Sequence, residues 1–251
     1  MAIFKSGNPA LKEDTFKQLE RVDDPENAMT LQGTVNKTAL LLLILCIPAI
    51  CTWNLFNSTL EFATVAPLFY IGLFGGLVVA IILVFNKGLA PYLAVLYAAL
   101  EGLVMGGLSA IMEQSYPGIV IQALLLTFGI CFVLLLIYTL GIIRPSENFK
   151  LIVASATGGI AIYYLISLGL SFFSIRAPLI NDNSIWGILF SLFVVVVASM
   201  NLVVDFDFIE QGAEKKAPKY MEWYGAFGLM VTLIWLYVEI LRLLSKLMSR
   251  K

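Results

Sequence analysis

Seven apolar segments, separated by short polar turns, constrain the fold of this sequence more than any other feature. A helix needs about 20 apolar residues to cross the ~30 Å hydrocarbon core of a bilayer. Each segment reaches that length, and only 13% of the residues are charged, too few to cover a soluble domain of this size. The sequence therefore predicts an all-α, multi-pass protein of the lipid bilayer. We place the spans near residues 38–57, 64–85, 90–112, 117–140, 149–174, 184–209 and 223–246.

The first 37 residues differ from the rest of the chain in being polar and mixed in charge. We therefore expect residues 1–37 to form a cytosolic tail and residues 38–248 to form the transmembrane domain. Lys and Arg concentrate in the tail and in alternate connections, at Lys87, Arg144, Lys150, Lys215, Lys216 and Lys219, whereas the other connections hold only Arg176. This bias predicts a cytoplasmic N-terminus.

The basic C-terminal end does not follow the same charge bias. Seven spans would place Arg242, Lys246, Arg250 and Lys251 outside, where Lys and Arg are normally rare. Either the charge rule yields at this end, or the last segment does not cross fully. We expect the plasma membrane of a bacterium as the location.

Several function classes conflict with the composition. A net charge of −1 argues against nucleic acid as a partner, and the absence of histidine excludes histidine catalysis and histidine metal sites. Cys46, Cys51 and Cys131 lie in apolar segments and are typical of small apolar residues rather than of a disulfide framework. An intramembrane aspartyl protease also uses two facing acids, but the chain lacks the Gly-x-Gly-Asp stretch of such enzymes. We expect neither an enzyme nor a bound cofactor.

The stretch NLVVDFDFIEQG, residues 201–212, places three acids at the end of the long apolar run of the sixth segment. Small and polar residues recur at helical spacing through that segment, which is typical of a face packed on other helices. Asp205 therefore points inward, with Asn201 one turn away. Asp207 and Glu210 lie off this face, which favours a solvated helix end. The inward face comprises Ser184, Gly187, Ser191, Val194, Ala198, Asn201 and Asp205.

Glu239 lies on a similar face of the seventh segment, with Gly225, Gly228, Thr232 and Trp235 before it. Arg242 follows three residues later, so a local ion pair is one interpretation of Glu239. Contact with Asp205 is another, because two carboxyl groups in a low-dielectric site share a proton and titrate as a unit. When ionised, their oxygens suit a hard cation such as calcium. A last helix starting as early as Tyr220 would separate Asp205 from Glu239.

Glu101 is a third acid inside a span, in the sequence EGLVMGGLSAIME. A structural hydrogen bond and a role in the site are both open for it. The neighbouring Gly102 and Gly106, like Gly72 and Gly76, have the spacing that lets helix backbones approach closely. We expect these glycines to serve packing.

Three stretches carry a resemblance to a known family: NLVVDFDFIEQG, MEWYGAFGLMVTLIWLYVEILRLLSKL and EGLVMGGLSAIME. From about Thr34 to Leu247 the chain resembles the Bax-inhibitor (transmembrane Bax inhibitor motif, YccA-like) family, in a bacterial sub-branch. Asp205 matches the family's aspartate in the sixth helix. Glu239 stands where the family has aspartate in a Leu-Tyr-x-Asp pattern. Some relatives carry an arginine in the second helix, near the position of Phe85 here.

The resemblance implies a seven-transmembrane-helix bundle with the last helix central. It also implies a pH-sensitive calcium leak, closed by a carboxylate pair at Asp205 and Glu239, with protons and calcium as partners. Glu101, Asn201, Asp207 and Arg242 are secondary candidates beside that pair. Some bacterial relatives instead bind and modulate a membrane-bound protease, so a regulatory protein without ion transport is the alternative.

Overall fold

Seven long α-helices make up most of the computed structural model, which describes residues 25–171, 173, 179–180 and 182–250. Each helix is long and apolar enough to cross a membrane. The prediction of seven spans is therefore confirmed, and the chain is an integral, multi-pass membrane protein. The helices are α1 Leu31–Thr59, α2 Phe62–Phe85, α3 Ala90–Ser115, α4 Ile119–Thr139, α5 Glu147–Ser171, α6 Ile185–Glu214 and α7 Met221–Met248.

The helix ends differ most from expectation at α1 and α6. α1 begins at Leu31 rather than near residue 38, because the hydroxyl of Thr30 accepts a hydrogen bond from the Gly33 amide at 2.9 Å and caps the helix. α6 continues to Glu214, five residues beyond the predicted end. Residues 1–24 of the predicted tail, and Arg176, lie outside the described residues, so the division into tail and membrane domain stays a prediction.

The chain divides into two compact units. Of the described residues, we call 25–117 with 208–230 the N-terminal unit, and those within 118–207 and 231–250 the C-terminal unit. In the N-terminal unit, a Cβ on Gly102 would overlap the Leu45 carbonyl oxygen, and one on Gly106 would overlap that of Ala49. These glycines therefore let the backbones of α1 and α3 touch, which agrees with the predicted packing role.

The segment before α1 is attached to the α6–α7 connection within the N-terminal unit. The Met29 amide donates to the Ala217 carbonyl at 2.7 Å. Glu222, in the first turn of α7, is buried, accepts hydrogen bonds from the Thr30 amide at 2.9 Å and the Thr30 hydroxyl at 2.8 Å, and pairs with Lys37. One carboxylate thus joins the starts of α1 and α7.

Burial is greatest in α6 and α7, with α3 close behind. In α6 and α7, 61% of the most apolar window is buried, and in the span that contains α3 50%, against 11–22% in α1, α2, α4 and α5. Every residue of α7 from Tyr224 to Leu241 is buried or half-buried, although the helix is apolar on most sides. Over this stretch the apolar sides of α7 are therefore covered by protein rather than left to lipid. In the C-terminal unit, Ile160 of α5 packs on Val194 and Val197 of α6, with Trp235 of α7 beside them.

Candidate functional site

One face of α5 carries the polar contacts of the C-terminal unit. Lys150, Thr157 and Tyr164 follow one another at intervals of seven residues, close to two helical turns, so they share a side of the helix. We call these three residues the polar face of α5. Each one contacts a polar side chain of α6 or α7: Lys150 contacts Asp207, Thr157 contacts Asn201, and Tyr164 contacts Glu239.

Lys150 forms the first of these contacts. Its ammonium lies 2.7 Å from the Asp207 carboxylate and 3.3 Å from that of Glu147, and the residue is only 3% exposed. An ammonium removed from water is unstable unless it is paired, so Asp207 balances this lysine. The interpretation of Asp207 as a solvated helix end is therefore incomplete, because its side chain is mostly buried against α5.

Asn201 forms the second contact, inside the bundle. Its Nδ2 donates to the Thr157 hydroxyl at 2.8 Å and to the Val197 carbonyl at 2.9 Å. Its Oδ1 has no hydrogen-bond partner among the described residues, although Asn201 is only 1% exposed. Asp205, one turn further along α6, is fully buried at 0% exposure. The structure thus places both residues inward, on the face of α6 that the spacing predicts.

Glu239 accepts hydrogen bonds from three residues in the third contact. Arg242 Nη1 lies 2.8 and 2.9 Å from its two oxygens, the Tyr164 hydroxyl donates at 2.9 Å, and the Trp235 indole donates at 3.3 Å. Arg242 also donates to the Tyr164 hydroxyl at 2.5 Å, and its guanidinium lies 5.0 Å from the centre of the Tyr164 ring. The local ion pair with Arg242, one of the two interpretations of Glu239, is present.

Asp205 and Glu239 lie at different depths in the C-terminal unit. Thr157, which bonds Asn201, and Tyr164, which bonds Glu239, are seven residues or about 10 Å apart along α5. Along α6, Asp205 lies one turn beyond Asn201, in the direction of Asp207. Asp207 pairs with Lys150, at the end of the polar face of α5 opposite Tyr164. The helix rise therefore puts the two carboxylates at different depths of the C-terminal unit. α7 starts at Met221, close to the early start that would separate them.

Glu101 lies in the N-terminal unit, where it is half-buried and hydrogen-bonded to Tyr97 one turn earlier on α3. Its Oε1 lies beside Gly76 of α2. The structural hydrogen bond considered for Glu101 is thus present. Near the position where some relatives have an arginine, Phe85 is 85% exposed. In this chain the guanidinium beside Glu239 comes from Arg242 instead.

Lys246 is a second buried lysine of the C-terminal unit. Its ammonium donates to the carbonyls of Leu179 at 2.6 Å and Gly187 at 3.0 Å. It thereby joins the last turn of α7 to the start of α6. Just before α6, hydrogen bonds from Ser184 hold the pKa of the exposed Asp182 carboxyl below its ordinary value.

The match to a family covers more of the chain than the resemblance, which runs from about Thr34 to Leu247. A family model described as Bax inhibitor 1 like matches residues 8–249, nearly the whole chain. The chain belongs to the Bax inhibitor 1 like family. Comparisons with curated proteins and with solved structures find no match. The resemblance stated from the sequence is confirmed, whereas the ion and the gate it implies stay predictions.

Sequence reasoning missed the α5 side of the site in this Bax inhibitor 1 like protein. The charge pattern assigns Lys150 to a connection, and no motif includes Thr157 or Tyr164. The spacing nevertheless carries a signal, because the three residues recur every seven positions. Within the described residues, no three His, Cys, Asp or Glu side chains cluster as a metal site.

Proposed function

We propose that this Bax inhibitor 1 like protein is a calcium leak pathway whose acids act at separate depths rather than as one shared pair. The observation that carries the proposal is the burial of Asp205 and Glu239, at 0% and 1% exposure, inside helices that span a membrane. An ionised acid inside a membrane span is energetically costly, and such acids are typical of ion and proton routes. Carboxylate and amide oxygens are also the ligands that calcium prefers.

Glu239 is the gate in this proposal. Arg242, Tyr164 and Trp235 all bond its carboxylate, so it is unavailable to a cation while that network is intact. Release of Arg242 would free the carboxylate. Asp205, fully buried beside Asn201, attracts the cation further along α6. Protonation of Asp205 would remove that attraction, so the leak should increase as pH rises.

Calcium flux into proteoliposomes between pH 6 and pH 8 tests the proposal. We expect a leak that increases with pH and that falls several-fold and loses its pH dependence in Asp205→Asn. Glu239→Gln should raise the leak, because it removes the carboxylate that Arg242 binds. Glu61→Gln is the matched control, because Glu61 is exposed between α1 and α2 and its side chain makes no capping hydrogen bond. Folded wild-type protein that gives no flux above empty liposomes would overturn the calcium leak.

The alternative, regulation of a membrane-bound protease, is favoured by one observation. Residues 27–30 are hydrogen-bonded to the α6–α7 connection and to Glu222, so the chain preceding them starts from a fixed point on the N-terminal unit. A deletion of residues 1–24 leaves these bonds intact. If the protein acts through its tail, that deletion abolishes the effect on protease turnover, while Asp205→Asn has little effect.

A further inference from the structure

The polar face of α5 extends across most of a bilayer. Fourteen residues separate Lys150 from Tyr164, which corresponds to about 21 Å of the ~30 Å hydrocarbon core. Other positions of the helix point outward into the surrounding medium, among them Ile152, Ile162 and Leu165. One polar line of α5 is thus bonded at three depths to α6 or α7 inside the C-terminal unit.

Ion pairs occupy both ends of this line. At one end Lys150 binds Asp207 at 2.7 Å, and at the other Arg242 binds Glu239 at 2.8 Å with Tyr164 bonded to both. Buried ion pairs are a poor way to stabilise a fold, since apolar side chains of similar volume often do as well or better. The presence of two such pairs on one polar line is better explained by a role for the polar segment that lies between them.

The segment between the two pairs contains polar groups that packing alone does not require. Asn201 Oδ1 is buried without a hydrogen-bond partner among the described residues, and the fully buried Asp205 lies one turn away. A buried amide oxygen in that condition is destabilising unless it binds water or a cation part of the time. The Thr157 hydroxyl, bonded to Asn201, faces the same region.

We propose that the polar face of α5 lines the conduction route, and that the Lys150–Asp207 and Arg242–Glu239 pairs close it at two depths with a polar chamber at Thr157 and Asn201 between them. This inference rests on the proposed leak and adds a second closure to it. Opening one pair admits solutes to the chamber from that pair's own side. Conduction requires both pairs to open.

Cysteine accessibility at Thr157 tests the chamber directly. The background replaces Cys46, Cys51 and Cys131 by alanine, and Thr157→Cys then provides the only thiol. The probe is a membrane-impermeant, cationic methanethiosulfonate, applied to membrane vesicles of either orientation. Ser155→Cys is the matched control, because Ser155 lies two residues away on α5 but is exposed on a different side of the helix.

Each ion pair is opened by neutralising both of its members, so that no buried charge is left without its partner. Lys150→Gln with Asp207→Asn neutralises one pair, and Arg242→Gln with Glu239→Gln neutralises the other. We expect slow labelling of Thr157→Cys with both pairs intact, and labelling at least tenfold faster in each neutralised variant, from one side only and from opposite sides in the two variants. Labelling of Ser155→Cys should not respond to either change.

Three results would overturn the two closures. These are unchanged labelling in both neutralised variants that remain folded by size-exclusion chromatography, rapid labelling with both pairs intact, or access from both sides after one pair is neutralised. If a variant does not fold, the charge exchange Lys150→Asp with Asp207→Lys replaces it and must keep labelling slow. Rapid labelling in the exchanged variant would also overturn the proposal.

Calcium flux in the same vesicles separates this inference from the proposed function. If labelling follows the expected pattern but the variant with both pairs neutralised carries no calcium, the calcium leak fails and the closures stand. If calcium passes while Thr157→Cys stays unlabelled in every variant, the leak stands and its route lies elsewhere.

Discussion

Tyr164 contacts both members of an ion pair at once. Its hydroxyl donates to Glu239 and accepts from Arg242, while its ring lies under the guanidinium. Phenylalanine keeps the ring and removes only the hydroxyl. Hydrogen bonds to charged groups contribute about 1.5–3 kcal/mol, so their loss changes a closed-to-open ratio by about tenfold or more.

We therefore expect Tyr164→Phe to raise calcium flux by about tenfold without a comparable loss of protein. The measurement is proteoliposome flux at equal protein density. Tyr92→Phe serves as the control, since Tyr92 lies on α3 and is 77% exposed. Equal flux from Tyr164→Phe and wild type would show that the tyrosine does not hold the gate.

For individual residues, the sequence predicted which side chains point inward but not which partners they contact. The inward direction of Asp205 and Asn201 follows from spacing, because one turn of α6 determines which side chains share a face. The partner of Asp207 does not follow from spacing, since it lies on another helix. A lysine just inside a span looks like a connection charge until the fold shows that Lys150 is buried.

Close backbone contact is the main property of α1 and α3 as a pair. A Cβ on Gly106 would overlap both the Ala49 carbonyl oxygen and the Thr52 hydroxyl oxygen, so α1 would have to move. Gly129 of α4 has no atom within 4 Å of the same position. The two glycines thus allow the same substitution to be compared in tight and open surroundings.

We expect Gly106→Ala to destabilise the protein by about 1–3 kcal/mol, as overpacking does. Gly129→Ala should be neutral or stabilise by up to about 1 kcal/mol, because alanine is the better helix former. Thermal unfolding in detergent measures both. A Gly106→Ala midpoint at or above that of Gly129→Ala would contradict the close packing of α1 and α3.

Helix number was predictable from the sequence, whereas helix length was not. Apolar runs mark the hydrocarbon core, and the seven spans match them in order. The polar first turns of α1 and the last turns of α6 extend past that core, where hydropathy carries no signal. Capping by Thr30 determines the first of these ends. The early start of α7 then determines the depth of Glu239, and so its distance from Asp205.

The distribution of Lys and Arg between the two sides of the membrane is clearer when residues bonded within the protein are not counted as charges of the connections. Of the four basic residues near the C-terminus, Arg242 is paired with Glu239, and Lys246 donates to two backbone carbonyls. Neither is a free charge of a connection, and the positive-inside bias depends on such charges. Only Arg250 and Lys251 then conflict with the positive-inside bias if the C-terminus lies outside. α7, with 28 residues or about 42 Å, is long enough to cross fully.

We therefore expect the two ends of the chain to lie on opposite sides of the membrane, with the N-terminus inside. Single cysteines at Ser6 and Ser249, in the background without native cysteines, can be labelled with an impermeant maleimide on intact cells and after permeabilisation. Ser249→Cys should label on intact cells and Ser6→Cys only after permeabilisation. A cysteine at Gly88, in the α2–α3 connection, is the control and should behave like Ser6→Cys. Protection of Ser249→Cys on intact cells would mean that α7 does not cross, and the depths assigned to Glu239 and Arg242 would then be wrong.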